Sequence, residues 1–176
     1  MLTPRVIQEN KSLEERLEEV SILVMEIEGV LTDGRTLVDA HGLESIFIDR
    51  RDALALKMWL KDGGKLVLLA RSDLTAAQEW CRNHGLDFQG HQGANKNTAL
   101  QSIIFENAAT PKTVCYLGWD LEDLPPAMIV GVAACPADAN VWVRDSAHLV
   151  MASPGGRGAV RELIDRLLAG RRPPSE

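Results

Sequence analysis

Short apolar runs that alternate with helix-forming segments restrict the fold of this sequence more than any other feature. Residues 21–27, 66–69 and 113–117 are apolar almost throughout and too short for helices, which is typical of strands buried on both faces of a parallel sheet. The segments between them carry helical signals, as βαβ units require. The pattern predicts an α/β domain with a Rossmann-like parallel sheet, sandwiched by helices and joined by right-handed crossovers.

Capping residues place helices around this sheet. Ser12 followed by Glu15 has the spacing of a capping box and predicts a short helix before the first strand. Asp73 as N-cap and Gly85 just beyond the end delimit another helix. The remaining predicted elements are a hairpin of strands 36–38 and 45–48, helices at 52–61 (through Leu54, Leu56, Met58 and Leu60), 94–106 and 158–169, a short helix opening at Pro125, and strands at 130–134 and 148–151.

Length and composition indicate one domain. We expect an N-terminal helical extension at 1–20, a single domain at 21–170 and a disordered tail at 171–176. The net charge of −6 argues against nucleic acid as a partner, since nucleic-acid binding needs a basic patch. No run approaches the ~20 apolar residues of a membrane span. The odd cysteine count of 3, without a CxxC pair, favours a reducing compartment, so we expect a cytoplasmic protein with no membrane partner.

The segment that ends the first predicted strand carries a motif. In parallel sheets ligands bind outside the carboxyl ends of the strands, so function is expected just after residues 27, 69 and 117. Residues 26–34 read EIEGVLTDG. This segment resembles the haloacid-dehalogenase signature, in which two aspartates flank one apolar residue. The GVLTDG ending, followed by a hairpin in place of a large cap, resembles the branch of 3-deoxy-D-manno-octulosonate 8-phosphate phosphatase and the C-terminal domain of CMP-sialic acid synthetase.

Five further segments resemble motifs of the same branch, in the same order. They are Arg51-Asp52, Gln89-Gly90 followed by Lys96, the run YLGWDLED at 116–123, PADA at 136–139 and GGRGAVRE at 155–162. The resemblance covers most of the chain, from residue 20 to residue 170. It implies the fold of that family, a phosphatase ancestry, Mg²⁺ as the family's cofactor and a phosphorylated sugar acid as a possible ligand.

The resemblance also assigns roles to residues of this chain. The catalytic positions are Glu26, Glu28 and Lys96, and the metal positions are Glu26, Glu28 and Asp120. The substrate-binding positions are Thr32, Arg51, Arg71, Ser72 and Arg157.

Several of these positions depart from the family. Glutamate replaces both catalytic aspartates, and one extra methylene moves each carboxylate by about 1–1.5 Å. A displacement of ~1 Å can cost phosphoryl transfer ~100-fold. Ala70 stands where the family has a hydroxyl residue, and Trp119 stands where it has the metal aspartate. We therefore expect a pseudophosphatase with an oligomerisation or ligand-binding role, in which Mg²⁺ is bound weakly or not at all.

The residues leave other interpretations open. The chain could be an active phosphomonoesterase that hydrolyses a sugar-acid phosphate, or a metal-free anion-binding regulator that uses Arg71, Lys96 and Arg157.

Asp120 and Asp123 could cap a helix instead of binding metal. Trp119 could be a plug or a stacking surface, and the glycines from 155 to 158 could be only a flexible entry to the last helix. By resemblance we expect a homo-oligomer, a tetramer, with the hairpin at 35–48 in its interface.

Overall fold

The computed structural model describes residues 11–71, 73–91 and 96–171, without the side chains of Arg71 and His91. Expectations for residues 1–10 and for the tail beyond residue 171 lie outside this range.

A six-stranded parallel sheet forms the centre of the domain and confirms the predicted fold class. Its strands are β1 Ile22–Glu26, β4 Lys65–Arg71, β5 Phe88–His91, β6 Val114–Leu117, β7 Val132–Cys135 and β8 Leu149–Val150. Their order in the sheet is β5-β4-β1-β6-β7-β8. The strand β5 was not predicted, because its residues FQGH are mostly polar. It lies at the edge of the sheet, where only one neighbour has to be matched.

Seven α-helices surround the sheet in the part of the chain that the structure describes. They are α1 Leu13–Glu19, α2 Arg50–Lys61, α3 Thr75–His84, α4 Lys96–Glu106, α5 Leu124–Ala127, α6 Val141–Ser146 and α7 Ala159–Gly170. The capping box of Ser12 and Glu15 is present at α1, and Gly85 ends α3 with a φ of +63°. The short helix α6 was not predicted.

One predicted helix cap was wrong. Asp73 does not cap α3: Leu74 occupies the N-cap position without a side-chain bond, and the carbonyl of Asp73 accepts from the Thr75 N–H at 2.9 Å. The helix predicted at 52–61 is confirmed as α2, although the apolar residues from which it was predicted recur at every second position, whereas a helix repeats every 3.6 residues. The buried positions of α2 are Asp52, Ala55, Leu56 and Trp59, and Leu54 is 52% exposed.

Alternate residues of β1 enter two cores on opposite faces of the sheet. Leu23 and Met25 belong to the larger core, which also contains apolar residues of α2 and α7. Ile22 and Val24 belong to a second core that includes Leu100 of α4. This alternation follows from the two-residue period of a strand and places helices on both faces.

A two-stranded hairpin forms a second sheet, separate from the parallel one. It pairs β2 Leu37–Val38 with β3 Glu44–Ser45 in antiparallel register. Its apolar side chains are strongly exposed, with Leu43 at 67% and Phe47 at 70%. Elsewhere, none of the helices described has the length and hydropathy that a bilayer crossing needs.

Candidate functional site

Two glutamates lie where β1 ends, at the carboxyl edge of the sheet. Glu26 is the last residue of β1 and is only 3% exposed, while Glu28 is half-buried in the irregular turn Ile27–Leu31. Both line a cavity of about 410 Å³. Its other lining residues are Lys96, Trp119, Asp120, Leu121, Glu122 and Asp123. The three predicted catalytic residues and the predicted metal residue Asp120 therefore surround one cavity.

Lys96 joins two carboxylates beneath this cavity. It is the first residue of α4, and its Nζ lies 3.2 Å from Oε1 of Glu26 and 2.7 Å from Oδ1 of Asp123. The three side chains are 9%, 3% and 1% exposed, so the ion pairs are screened little by water. Burial alone would lower the pKa of Lys96, but the negative charges and hydrogen bonds of Glu26 and Asp123 outweigh it, and the pKa is raised.

Asp123 is the centre of the network. Its Oδ1 accepts from Nζ of Lys96 and from the hydroxyl of Tyr116, each at 2.7 Å. Its Oδ2 accepts from the N–H groups of Trp119 at 2.7 Å and Asp120 at 2.9 Å. A carboxylate has about four lone-pair positions, so these four donors saturate Asp123. Burial, followed by the charges of Asp123 and Glu26, raises the pKa of Tyr116 well above its ordinary value.

Asp120 has a structural role of its own. Its Oδ1 accepts from the Leu121 N–H at 2.7 Å and so caps the short turn Leu121–Asp123. Asp123 completes the capping box from the third position of that turn. Of the two open interpretations for Asp120 and Asp123, capping is the one that the hydrogen bonds support.

The indole of Trp119 lies across two glycines of the turn that follows β1. A Cβ atom added to Gly29 would lie 2.0 Å from Cδ2 of Trp119, and one added to Gly34 would lie 3.1 Å from Cη2 at the far end of the ring. Gly29 also has a φ of +71°. Only a residue without a side chain leaves room for the ring at this distance, and this packing supports the interpretation of Trp119 as a plug.

The residues present do not fit the divalent cation that the family resemblance implies. Asp123 has no lone pair left, and Trp119 has an indole where a carboxylate would be needed. Among the side chains that the structure describes, no three of His, Cys, Asp and Glu are placed so that they could hold a metal ion.

The predicted substrate residues are not gathered in the cavity. Thr32 is 1% exposed, and its hydroxyl donates to the carbonyl of Ile27 and accepts from the N–H groups of Gly29 and Gly34. It therefore fixes the turn after β1. Arg71 ends β4 at the same edge of the sheet, but its side chain is not described, and Ser72 lies outside the described residues.

Arg51 and Arg157 form an exposed rim instead. Nη2 of Arg51 lies 2.7 Å from Oδ2 of Asp49 and donates to the carbonyl of Arg157 at 3.3 Å. Nη2 of Arg157 lies 3.9 Å from Oδ2 of Asp33. Neither arginine is among the residues that line the cavity.

A glycine loop connects the rim to the cavity. Oδ1 of Asp138 accepts from the Gly155 N–H at 2.9 Å, and the Gly156 N–H donates to the carbonyl of Val30 at 2.8 Å. A Cβ atom at Gly155 would lie 2.0 Å from the carbonyl oxygen of Gly29. The glycines thus allow close packing on the turn after β1, and they are more than a flexible entry to α7.

Two residues, Asp52 and Tyr116, lie in segments that carry the resemblance but were assigned no role from the sequence. Asp52 is fully buried and accepts from the N–H groups of Gly158 at 3.0 Å and Arg161 at 2.8 Å, which caps α7 from α2. Burial raises its pKa in spite of these bonds. Tyr116 is the one tyrosine of the sequence and is separated from the Gly118-Trp119 step by Leu117 alone, but its hydrogen bond to Asp123 was not predicted.

Comparison with known proteins finds relatives and solved structures that are similar over most of the chain. The chain matches no protein-family model. It is 28% identical over 156 residues to the 3-deoxy-D-manno-octulosonate 8-phosphate phosphatase of Haemophilus influenzae, and the match covers 89% of this chain and 87% of that protein.

Solved structures extend this likeness. A cobalt-bound form of the Haemophilus influenzae phosphatase superposes with a TM-score of 0.84 at 28% identity, covering 89% of this chain and 91% of that one. A haloacid dehalogenase (HAD) family hydrolase from Streptomyces avermitilis superposes with a TM-score of 0.82 at 30% identity, covering 86% of this chain and 93% of that one.

Proposed function

Because the chain belongs to the haloacid dehalogenase superfamily, in the branch of 3-deoxy-D-manno-octulosonate 8-phosphate phosphatase, we propose that it is a pseudophosphatase of that branch. It keeps the fold and the charged residues at the end of β1, and it has lost the arrangement that phosphoryl transfer needs. Its role is assembly or ligand binding.

The saturated carboxylate of Asp123 beside the indole of Trp119 is the observation that carries the proposal. Phosphomonoester hydrolysis is among the slowest uncatalysed reactions, so a nucleophile, an acid and a stabilising cation must all act together. Here four donors occupy the carboxylate of Asp123, so it has no lone pair left for a metal ion. At the position of the family's metal aspartate, the indole of Trp119 packs against Gly29. Ala70, fully buried, supplies no hydroxyl for a phosphoryl oxygen.

The charge of the cavity supports the same conclusion. Its acidic lining residues are Glu26, Glu28, Asp120, Glu122 and Asp123. Lys96 is the one cation among the lining residues described, and two of those carboxylates already hold it. Carboxylates outnumber the ammonium group among these lining residues, and this balance of charge opposes the entry of a phosphate dianion.

Self-association is the role that the surface supports best. We propose a homo-oligomer, a tetramer, that buries the apolar residues of the hairpin. Two-stranded hairpins are marginally stable alone, and this one exposes Leu37, Val38, Leu43 and Phe47 by 57–70%. Sedimentation of the wild type and of a Leu43→Ser, Phe47→Ser double variant tests this. We expect the variant to sediment as a smaller species, and an unchanged distribution would contradict the proposal.

A second candidate is a Mg²⁺-dependent phosphomonoesterase that hydrolyses a sugar-acid phosphate such as 3-deoxy-D-manno-octulosonate 8-phosphate. The names of the relatives favour it, since the Haemophilus influenzae protein is a phosphatase and one of its structures holds cobalt. The retention of Lys96 at the start of α4 also favours it.

Phosphate release separates the two candidates. Wild type, Glu26→Gln and the quadruple variant Glu26→Asp, Glu28→Asp, Ala70→Thr, Trp119→Asp are assayed with Mg²⁺ against a panel of phosphomonoesters that includes the octulosonate phosphate. We expect wild type to release no more phosphate than Glu26→Gln, and the quadruple variant to gain activity. Mg²⁺-dependent release by wild type that Glu26→Gln abolishes would overturn the pseudophosphatase.

A further inference from the structure

A second cavity, of about 350 Å³, is lined by side chains of α2 and α3 and by Ile48. It shares no lining residue with the cavity at the end of β1, and the residues that line it are basic, aromatic or apolar, without a carboxylate among them. We infer that it binds a planar aromatic phosphate, of the nucleoside monophosphate class, through Arg50, Lys57 and Trp80. The inference goes beyond the proposed function, because it concerns a different cavity and a different kind of ligand.

Helix α2 supplies one wall of this second cavity. Its contributions are Arg50, Ala53, Leu54 and Lys57. They follow one another at spacings of three, four and seven residues from Arg50, so they lie on one face of the helix. Both basic residues are exposed, and Leu54 between them is 52% exposed. This wall therefore offers positive charge on either side of an apolar surface, which suits a ligand with an apolar body and a negative group.

Helix α3 supplies an aromatic wall. The rings of Trp80 and His84 are stacked, with centroids 4.4 Å apart and planes 26° apart. Trp80 is half-buried and packs against the larger core, which holds its ring in place. Nδ1 of His84 lies 2.8 Å from the carbonyl oxygen of Trp80, and since a carbonyl only accepts, Nδ1 is the donor. A flat ligand ring can extend this stack, as bases do on aromatic side chains.

The charges around the cavity favour a phosphate. Among the side chains that the structure describes, none forms an ion pair with Arg50 or Lys57. Asp49, which precedes Arg50, pairs with an arginine that does not line the cavity, and so does Glu79 of α3. The two positive charges of Arg50 and Lys57 match a phosphate monoester, which carries about −2 at pH 7. The cavity at the end of β1 has the opposite balance of charge.

The size of the cavity limits the ligand. Small-molecule sites begin at about 300 Å³, and this cavity of about 350 Å³ is near that lower bound. A mononucleotide is a ligand of this size that uses both walls at once. Inorganic phosphate would leave the aromatic wall without a partner, and an uncharged nucleoside would leave the two cations without one.

Calorimetric titration of the wild-type protein tests the inference. The probes are the 5′-monophosphates of adenosine, guanosine, cytidine and uridine, with the four nucleosides and inorganic phosphate as fragments. Mg²⁺ is left out, so that hydrolysis by a Mg²⁺-dependent phosphatase does not contribute. We expect at least one monophosphate to bind about tenfold or more tightly than its nucleoside and than inorganic phosphate. If no monophosphate binds more tightly than both of its fragments, the inference is wrong.

Variants then assign the binding to this cavity. We expect Arg50→Gln combined with Lys57→Gln, and separately Trp80→Leu, to weaken the affinity for the nucleotide by about tenfold or more. Lys61→Gln removes an exposed lysine of α2 that does not line the cavity, and it should leave the affinity unchanged. Because Arg50 and Lys57 are exposed, the double variant keeps the test decisive even if Trp80→Leu does not fold.

Arg157→Gln separates this site from the rim of the first cavity. We expect the affinity for the nucleotide to stay within about twofold of wild type in this variant, because Arg157 does not line the second cavity. An affinity that falls with Arg157→Gln but not with the double variant would place the nucleotide on the rim and would overturn the inference.

Discussion

The buried cluster of Lys96, Glu26 and Asp123 and the exposed rim beside the cavity both contain pairs of a basic and an acidic side chain. They differ in how far water reaches those pairs. In the cluster, Lys96 contacts Asp123 with both side chains under 10% exposed. On the rim, Asp33 lies 3.9 Å from Arg157 and pairs with Arg35, whose side chain is 76% exposed. Water screens the rim pair and can replace either partner, but nothing replaces a partner in the cluster. The comparison teaches that burial, and not the identity of the charges, decides which pairs hold this site together.

Removing one carboxylate from the buried cluster and one from the rim gives the largest expected difference in unfolding free energy between two variants. Asp123→Ala leaves the Tyr116 hydroxyl and two backbone N–H groups unsatisfied and Lys96 with one partner, so we expect a loss of about 3–5 kcal/mol of unfolding free energy. Asp33→Ala should change that free energy by an amount close to experimental error. Urea denaturation measures both. Similar losses in the two variants would contradict the comparison.

Asp52 sharpens the comparison because it lies beside the rim but is buried. Asp52→Ala leaves the N–H groups of Gly158 and Arg161 without their acceptor, and we expect a loss of about 2 kcal/mol by urea denaturation. Asp52→Asn keeps the shape and one acceptor oxygen, so its loss should be smaller. If both variants were as stable as wild type, burial would not be the deciding factor.

The sequence predicted the strands around the site better than the contacts within it. The apolar runs at β1, β4 and β6 are visible because parallel strands are buried on both faces. β5 was missed because an edge strand tolerates polar residues such as Gln89. The motifs that follow these strands then identified the candidate site residues at the strand ends.

The network itself could not be predicted, because it joins distant segments of the chain. Lys96 reaches Asp123 across 27 residues, and Asp52 reaches Gly158 across 106. A motif indicates that such residues lie near one another, but it does not indicate that Tyr116 donates to Asp123. Nor does a motif show that Gly29 is where the Trp119 ring rests. Those contacts depend on how α4 and the turn after β6 pack onto the sheet.

Tyr116 gives the smallest and most specific test of the cluster. Tyr116→Phe removes one donor of Asp123, and we expect a loss of about 1 kcal/mol at neutral pH. Denaturation of both proteins from pH 7 to pH 11 then tests the environment of the hydroxyl. The folded protein holds the pKa of Tyr116 well above the ordinary value of 10.0, so the unfolded chain loses this proton first.

The sign of the pH effect follows from that order. Above pH 10 the folded wild type binds one proton more than its unfolded state, so its stability falls by up to about 1.4 kcal/mol per pH unit relative to Tyr116→Phe. Burial raises the pKa of Cys81 and Cys135 to about 11 and that of Cys115 to about 12, and these thiols also weaken the fold above pH 9. Both proteins contain them, so their effect cancels in the difference. The stability advantage of wild type should therefore shrink above pH 10, and a constant advantage would mean that Tyr116 ionises freely and that the cluster is open to water.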